Sequence, residues 1–223
     1  MNLLITGSSS GLGHSLAMTF AKTGHRVILH GRDEQRIAEM RLAIGRLGGE
    51  CEAVLGDLRD EKTLADLFAA ALHWEIDILI NNAGVYYDQP ISETTPHILE
   101  ATIRTNLIIP IRLALLVYPI FCAKGSGLIV NINSLAGKGF NSAEAVYCAS
   151  KWGLRGFMGS FRYEARKHGV GVLDVYLGAM RTMMTEGRDG TKIDTDEAAV
   201  VIYKACTAYS SLHVNEIEIG RRT

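Results

Sequence analysis

Apolar and polar positions along the chain fall into two alternating kinds of segment. Short runs rich in Val, Ile and Leu, at residues 2–6, 26–30, 51–55, 77–80, 127–132, 171–177 and 216–219, predict strands. Longer segments in which apolar residues recur every three or four positions, at 12–22, 33–47, 61–72, 96–122, 144–167 and 195–209, predict helices. Regular strand–helix alternation is the pattern of a parallel sheet covered by helices on both faces. No repeat, low-complexity tract or linker interrupts it. The 223 residues therefore predict one α/β domain, with no room for a second.

In an open α/β sheet, ligands bind beyond the carboxyl ends of the strands. Several chemically useful residues fall just there: Gly7, Gly31 and Arg32, Asp57, Asn81 to Gly84, Ser134 and Gly178.

Gly7-Ser8-Ser9-Ser10-Gly11-Leu12-Gly13 joins an apolar strand to an amphipathic helix. Missing side chains let the backbone approach an anion, and the helix N-terminus offers free N–H groups with a partial positive charge, so the turn predicts phosphate binding. His14 reads as an early helix residue.

Tyr147 and Lys151 stand at i and i+4 of a predicted helix and share one face. Tyrosine ordinarily titrates near about 10, and a neighbouring ammonium favours the phenolate, so the pair reads as an acid/base.

Charge and cysteines narrow the partners. A formal net charge of −1 gives no reason to expect nucleic acid or an anionic membrane. Cys51, Cys122, Cys148 and Cys206 are scattered without a C-x-x-C pair, which predicts reduced thiols and neither a disulfide framework nor a metal site. Cys148 adjoins Tyr147, but one helical residue points about 100° away, so packing is its reading. The apolar run 107–123 is cut by Pro110, Arg112 and Pro119 and reads as a buried helix. Met1 leads straight into the first strand without a basic, apolar leader, which predicts a cytoplasmic protein.

Thr6-Gly7-Ser8-Ser9-Ser10-Gly11-Leu12-Gly13, Asn81-Asn82-Ala83-Gly84, Asn106, Ser134 and Tyr147-x-x-x-Lys151 together resemble, in order and approximate spacing, the classical short-chain dehydrogenase/reductase family. The resemblance spans nearly the whole chain. It implies a Rossmann-type doubly wound sheet of about seven strands in the order 3-2-1-4-5-6-7, forming one NAD(P)-binding domain over residues 1–223.

It also implies the site. Tyr147 is the acid/base, Lys151 lowers its pKa and holds the nicotinamide ribose, Ser134 bonds the substrate oxygen, and Asn106 bends its helix and supports a proton relay. The cofactor would lie on Gly7, Ser9, Ser10, Gly11, Leu12 and Gly13, with Asp57 and Leu58 at the adenine. Asn82, Ala83 and Gly84 follow, then Tyr147 and Lys151, with Gly178 and Thr182 at the nicotinamide.

NAD-preferring members carry an acid at the position of Gly31, whereas Arg32 suits the 2′-phosphate of NADP(H). NADP(H) is therefore expected, with NAD(H) possible through Asp33, which is equally a helix N-cap. Asp57 also reads as a turn former, Asn106 as a surface residue beside a Pro110 kink, and Ser134 as a strand-end cap.

The family usually has Pro-Gly after the sixth strand; here Leu177-Gly178 stands, which predicts a looser loop over the site. Met180, Met183 and Met184 could form an apolar wall. The residues from 183 to 194, which include Glu186, Arg188, Asp189 and Lys192, give no charge preference. Leu135, Phe140, Tyr86 and Tyr87 are further candidate substrate contacts.

The expected reaction is interconversion of a carbonyl and a secondary alcohol by hydride transfer, in a homodimer or homotetramer. The alternative is an NADP(H)-binding sensor without turnover. An epimerase or dehydratase needs a larger substrate domain.

Overall fold

A computed structural model describes residues 1–182, 191–207 and 214–221. Seven strands form one parallel sheet in the order β3-β2-β1-β4-β5-β6-β7, as expected. They are β1 (Asn2–Ile5), β2 (Arg26–Gly31), β3 (Cys51–Leu55), β4 (Ile78–Asn81), β5 (Gly127–Ser134), β6 (Val170–Leu177) and β7 (Glu216–Ile219). Several run one or two residues beyond the apolar signal, because Gly31, Asn81 and Ser134 continue the ladder although their side chains carry no β propensity.

Period two explains the uninterrupted apolar character of the inner strands. Leu4, Ile28, Leu79 and Ile129 point to one face, where they pack with Leu64 and Leu67 of α3 (Glu61–His73). Val117 and Phe121 of α5 (Ile109–Lys124) and Met158 of α6 (Ala145–Ala165) complete that layer. Leu3, Ile5, Leu29, Ile80 and Val130 point to the other face. There α1 (Gly11–Lys22) supplies Leu16 and Phe20, α2 (Glu34–Arg46) supplies Ile37 and Met40, and α7 (Thr195–Thr207) supplies Ile202.

The single helix expected over 96–122 is corrected. It is α4 (Pro96–Ile103), a π turn over Arg104–Ile108, and α5. Pro110 has no N–H to return to the residue four earlier, so the chain widens by one residue there. By length and composition alone Pro96–Lys124 could cross a bilayer, but Ile109, Leu113, Val117 and Phe121 lie in the core.

A polar chain crosses this apolar interior. Asn81 donates to Asn131 Oδ1 at 3.0 Å, Asn131 donates to Asp174 Oδ1 at 2.9 Å, and Arg162 Nη2 of α6 reaches Asp174 Oδ2 at 2.7 Å. Burial pushes the Asp174 carboxyl up to about 6, against the pull of Asn131 and Arg162.

Candidate active site

A cleft of about 930 Å³ runs along the carboxyl ends of the strands. At one end lies the glycine turn. Gly7 (φ +66°) and Gly11 (φ +54°) both adopt left-handed backbone, which explains glycine there. A Cβ on Gly7 would stand 2.9 Å from the Ala83 Cα. Ser9, Ser10, Gly11 and Leu12 line the cleft. Gly13 packs behind it, where a side chain would run into the Gly7 carbonyl and the Asn82 amide.

The N-terminus of α1 differs from its neighbours. Ser10 makes no side-chain cap and the first turn holds no acid, whereas Asp33 caps α2 by accepting from Arg36 N–H and Glu34 follows it. An uncapped, acid-free helix end facing a cleft suits an anionic group such as a pyrophosphate.

Asn82 fixes the turn from the side. Its Nδ2 donates to the Thr6 and Gly7 carbonyls at 2.9 and 3.0 Å, while Thr6 Oγ1 accepts from Asn82 and Ala83 N–H. Ala83 and Gly84 then form the neighbouring wall.

At the next strand ends, Arg32 and Asp57 face each other at 3.8 Å, with Arg32 largely exposed. Sequence reasoning missed Arg59, whose Nη2 lies 2.7 Å from the same Asp57 oxygen and whose Nε and N–H also donate to Asp57. Those bonds hold the Asp57 carboxyl down at about 2. Leu58 is buried beside it. Gly31 is crowded: a Cβ there would stand 2.9 Å from the Ser9 Cβ.

At the far end Ser134, Tyr147 and Lys151 line the same cleft. Ser134 Oγ accepts from Ala136 N–H at 3.1 Å, which leaves its proton for an acceptor in the cleft. The Lys151 ammonium lies 5.6 Å from the centre of the Tyr147 ring and donates to Ile132 O at 3.0 Å. Burial pulls its pKa down to about 8, so most of it remains charged at neutral pH. The Tyr86 ring meets Tyr147 edge-on at 5.0 Å, and the Tyr86 hydroxyl donates to Glu144 at 2.8 Å. Glu144 and its place in the cleft wall went unread, since its helix-start position gives no periodic signal.

Asn106 stands behind this wall. Its amide pairs in both directions with the Val85 backbone, accepting from N–H and donating to O at 2.8 Å each, and it donates to Ser150 Oγ at 3.4 Å. The π turn thus presents an amide to the loop after β4.

Leu177 is paired in the sheet with both Ser134 and Ile219. Gly178 N–H donates to Ile219 O at 3.0 Å, so β7 anchors the start of the loop that the missing proline was expected to loosen. Gly178, Met180 and Thr182 line the cleft, and Thr182 Cγ2 would stand 3.1 Å from a Cβ on Gly11. Arg221 also reaches the cleft. Tyr86, Tyr87 and Leu135 line it as well, whereas Phe140 stacks on Trp152 outside. Met183, Met184, Glu186, Arg188 and Asp189 lie outside the described residues.

A doubly wound parallel sheet with a glycine turn at the first strand–helix junction defines a Rossmann-type nucleotide-binding protein. The family model for short chain dehydrogenases matches residues 1–192, and the chain belongs to that family of oxidoreductases. It is similar to the ketoacyl reductase HetN of a Nostoc species, 33% identical over 88% of this chain and 67% of the relative. It is also similar to sulfoacetaldehyde reductase 2 of Chromohalobacter salexigens, 31% identical over 97% and 92%. A metagenomic short-chain oxidoreductase solved in complex with NADP superposes with a TM-score of 0.89 at 32% identity, covering 100% of this chain and 97% of that one.

Proposed function

We propose that this single domain is an NADP(H)-dependent oxidoreductase that interconverts a carbonyl and a secondary alcohol. The observation that carries the reading is one continuous cleft lined by the glycine turn, Arg32, Ser134, Tyr147 and Lys151. The left-handed turn at Gly7 and Gly11 and the uncapped α1 suit the pyrophosphate, and Arg32 with Arg59 suits a 2′-phosphate. The similar enzyme solved with NADP supports the same cofactor.

When bound, the nicotinamide supplies or accepts the hydride. In reduction, Ser134 donates its proton as a hydrogen bond to the substrate oxygen, and Tyr147 gives that oxygen a proton as it becomes negative. Lys151 keeps a positive charge near Tyr147, which favours the phenolate left behind. In oxidation the same phenolate takes the proton from the alcohol. Asn106 holds the loop bearing Val85, and so serves as a positioning residue. Exposed Ile108 and Leu115, on the helix run that leads away from the site, support a homodimer or homotetramer.

The test follows NADPH and NADH absorbance with aldehydes, ketones, sulfonated aldehydes and 3-oxoacyl thioesters. Tyr147→Phe is expected to lower kcat by roughly 10²- to 10⁴-fold while retaining NADPH binding. Near-normal turnover would remove Tyr147 from the role. Preference for NADH would reassign Arg32.

A further inference from the structure

His30, near the end of β2, is tied to both turns that flank it. Its backbone is held against Ser8: Ser8 N–H and Oγ donate to His30 O at 2.8 and 3.2 Å, and His30 N–H donates to Ser8 Oγ at 2.9 Å. The ring reaches further. Gly7 N–H donates to Nδ1 at 3.2 Å, and Nε2 lies 3.1 Å from Gly56 O.

An amide N–H can only donate and a carbonyl can only accept, so this geometry admits one state. The ring is neutral and carries its proton on Nε2. Burial agrees, pulling the pKa down to about 4; the Gly56 carbonyl and Asp57 pull upward and Arg32 pushes down. Though only 3% exposed, His30 also forms part of the cleft wall.

The two tethered residues are not arbitrary. Gly7 opens the turn before α1, and Gly56 immediately precedes Asp57. The imidazole thus bridges the pyrophosphate side and the adenine side of the cleft across the end of β2. We propose that His30 is a positioning residue for the cofactor, a tie that sets the span between the first turn and the Asp57 loop and thereby how tightly the adenosine half is held. The proposal rests on the cofactor reading above. It assigns His30 no contact with the reacting atoms.

Three variants separate the two ends of the tie. His30→Asn places an amide near the position of Nδ1 and can accept from Gly7. His30→Gln places one near Nε2 and can donate to Gly56. His30→Leu does neither. The expected result for His30→Leu is a rise of roughly tenfold in the NADPH dissociation constant by fluorescence titration, with KM for NADPH rising in step. At saturating NADPH its kcat stays within about threefold of wild type, and Asn and Gln each recover part of the loss. Histidine ¹⁵N shifts of the cofactor-free protein at neutral pH are expected to report the Nε2–H form.

Native NADPH affinity in a folded His30→Leu protein overturns the proposal. So does a loss that falls equally on saturated kcat, or a ring protonated on Nδ1. If His30→Leu does not fold, unchanged affinity in both Asn and Gln variants overturns it and weakened affinity in both supports it. A wild-type protein that binds no NADPH, with the ¹⁵N signature intact, overturns the cofactor reading and with it this one.

Discussion

Lys151 and Arg162 stand on the same face of α6, about three turns apart, and the protein treats them in opposite ways. Arg162 is surrounded by acceptors: the Asp174 carboxylate at 2.7 Å, Asn215 O at 2.9 Å and Val172 O at 3.1 Å. Lys151 is buried at 6% exposure, yet among the described residues its ammonium meets one acceptor, the Ile132 carbonyl. Arginine keeps its charge under all working conditions, which suits a permanent tie between helix and sheet. A lysine held near pH 8 can lose its charge. The number of acceptors around each buried cation thus separates a tie between helix and sheet from a lysine suited to the proposed chemistry.

Removing the sparsely paired cation should have the largest effect on turnover. Lys151→Met is expected to lower kcat/KM by roughly 10²- to 10⁴-fold while leaving the thermal midpoint equal or higher, because no charge then needs burying. In wild type, kcat/KM for reduction should fall as pH rises through about 8. A midpoint several degrees lower in Lys151→Met would erase the distinction.

The well-paired cation should show the reverse. Arg162→Leu leaves Asp174 buried without its partner, and urea unfolding is expected to show a loss of about 3–5 kcal/mol. Joining it with Asp174→Leu should restore most of that. A single-variant loss below about 1 kcal/mol would mean that the pair is not holding the helix.

The smallest effects lie in the pH dependence of stability, and their signs differ. Lys151 titrates at about 8 folded against 10.5 unfolded, so the unfolded chain binds more protons between these values and stability rises with pH there. Asp174 titrates at about 6 folded against 3.8 unfolded, so the native state binds more protons and stability falls as pH climbs through that window. Each amounts to roughly 3 kcal/mol across its window. Urea midpoints of wild type against Lys151→Met and Asp174→Asn isolate the two slopes; matching slopes in wild type and variant would refute the assignment.

The strands were legible because both faces of the sheet are covered, so each inner strand is apolar throughout and glycine or amide residues mark its carboxyl end; their order followed from the family resemblance alone. The glycine turn and the Tyr147/Lys151 spacing were legible for a local reason, since each is one turn of chain. What escaped depends on partners distant in sequence. The π turn at Asn106 answers to Val85, 21 residues earlier; the grip of Arg59 on Asp57 spans only two residues and escaped for another reason, because an Asp after a strand reads as a turn former or an adenine contact. Gly13, expected at the phosphates, is small because Gly7 and Asn82 press on it. Arg162 looked like any basic residue late in a helix; only the register that sets Asn131 opposite Asp174 gives it a buried partner.

The crowding at Gly31 bears on how this protein can change through descent. A Cβ at that position would press on the Ser9 side chain. A carboxylate there, the mark of NAD preference that the family resemblance implies, therefore requires Ser9 to shift as well. Shrinking Ser9 alone would not clear the position, because the Ile37 Cδ1 stands 3.1 Å from the same Cβ. Position 32 is exposed, so on the proposed cofactor reading lineages that drift in cofactor use should record the change at Arg32 and keep the Ser9–Gly31 pair together.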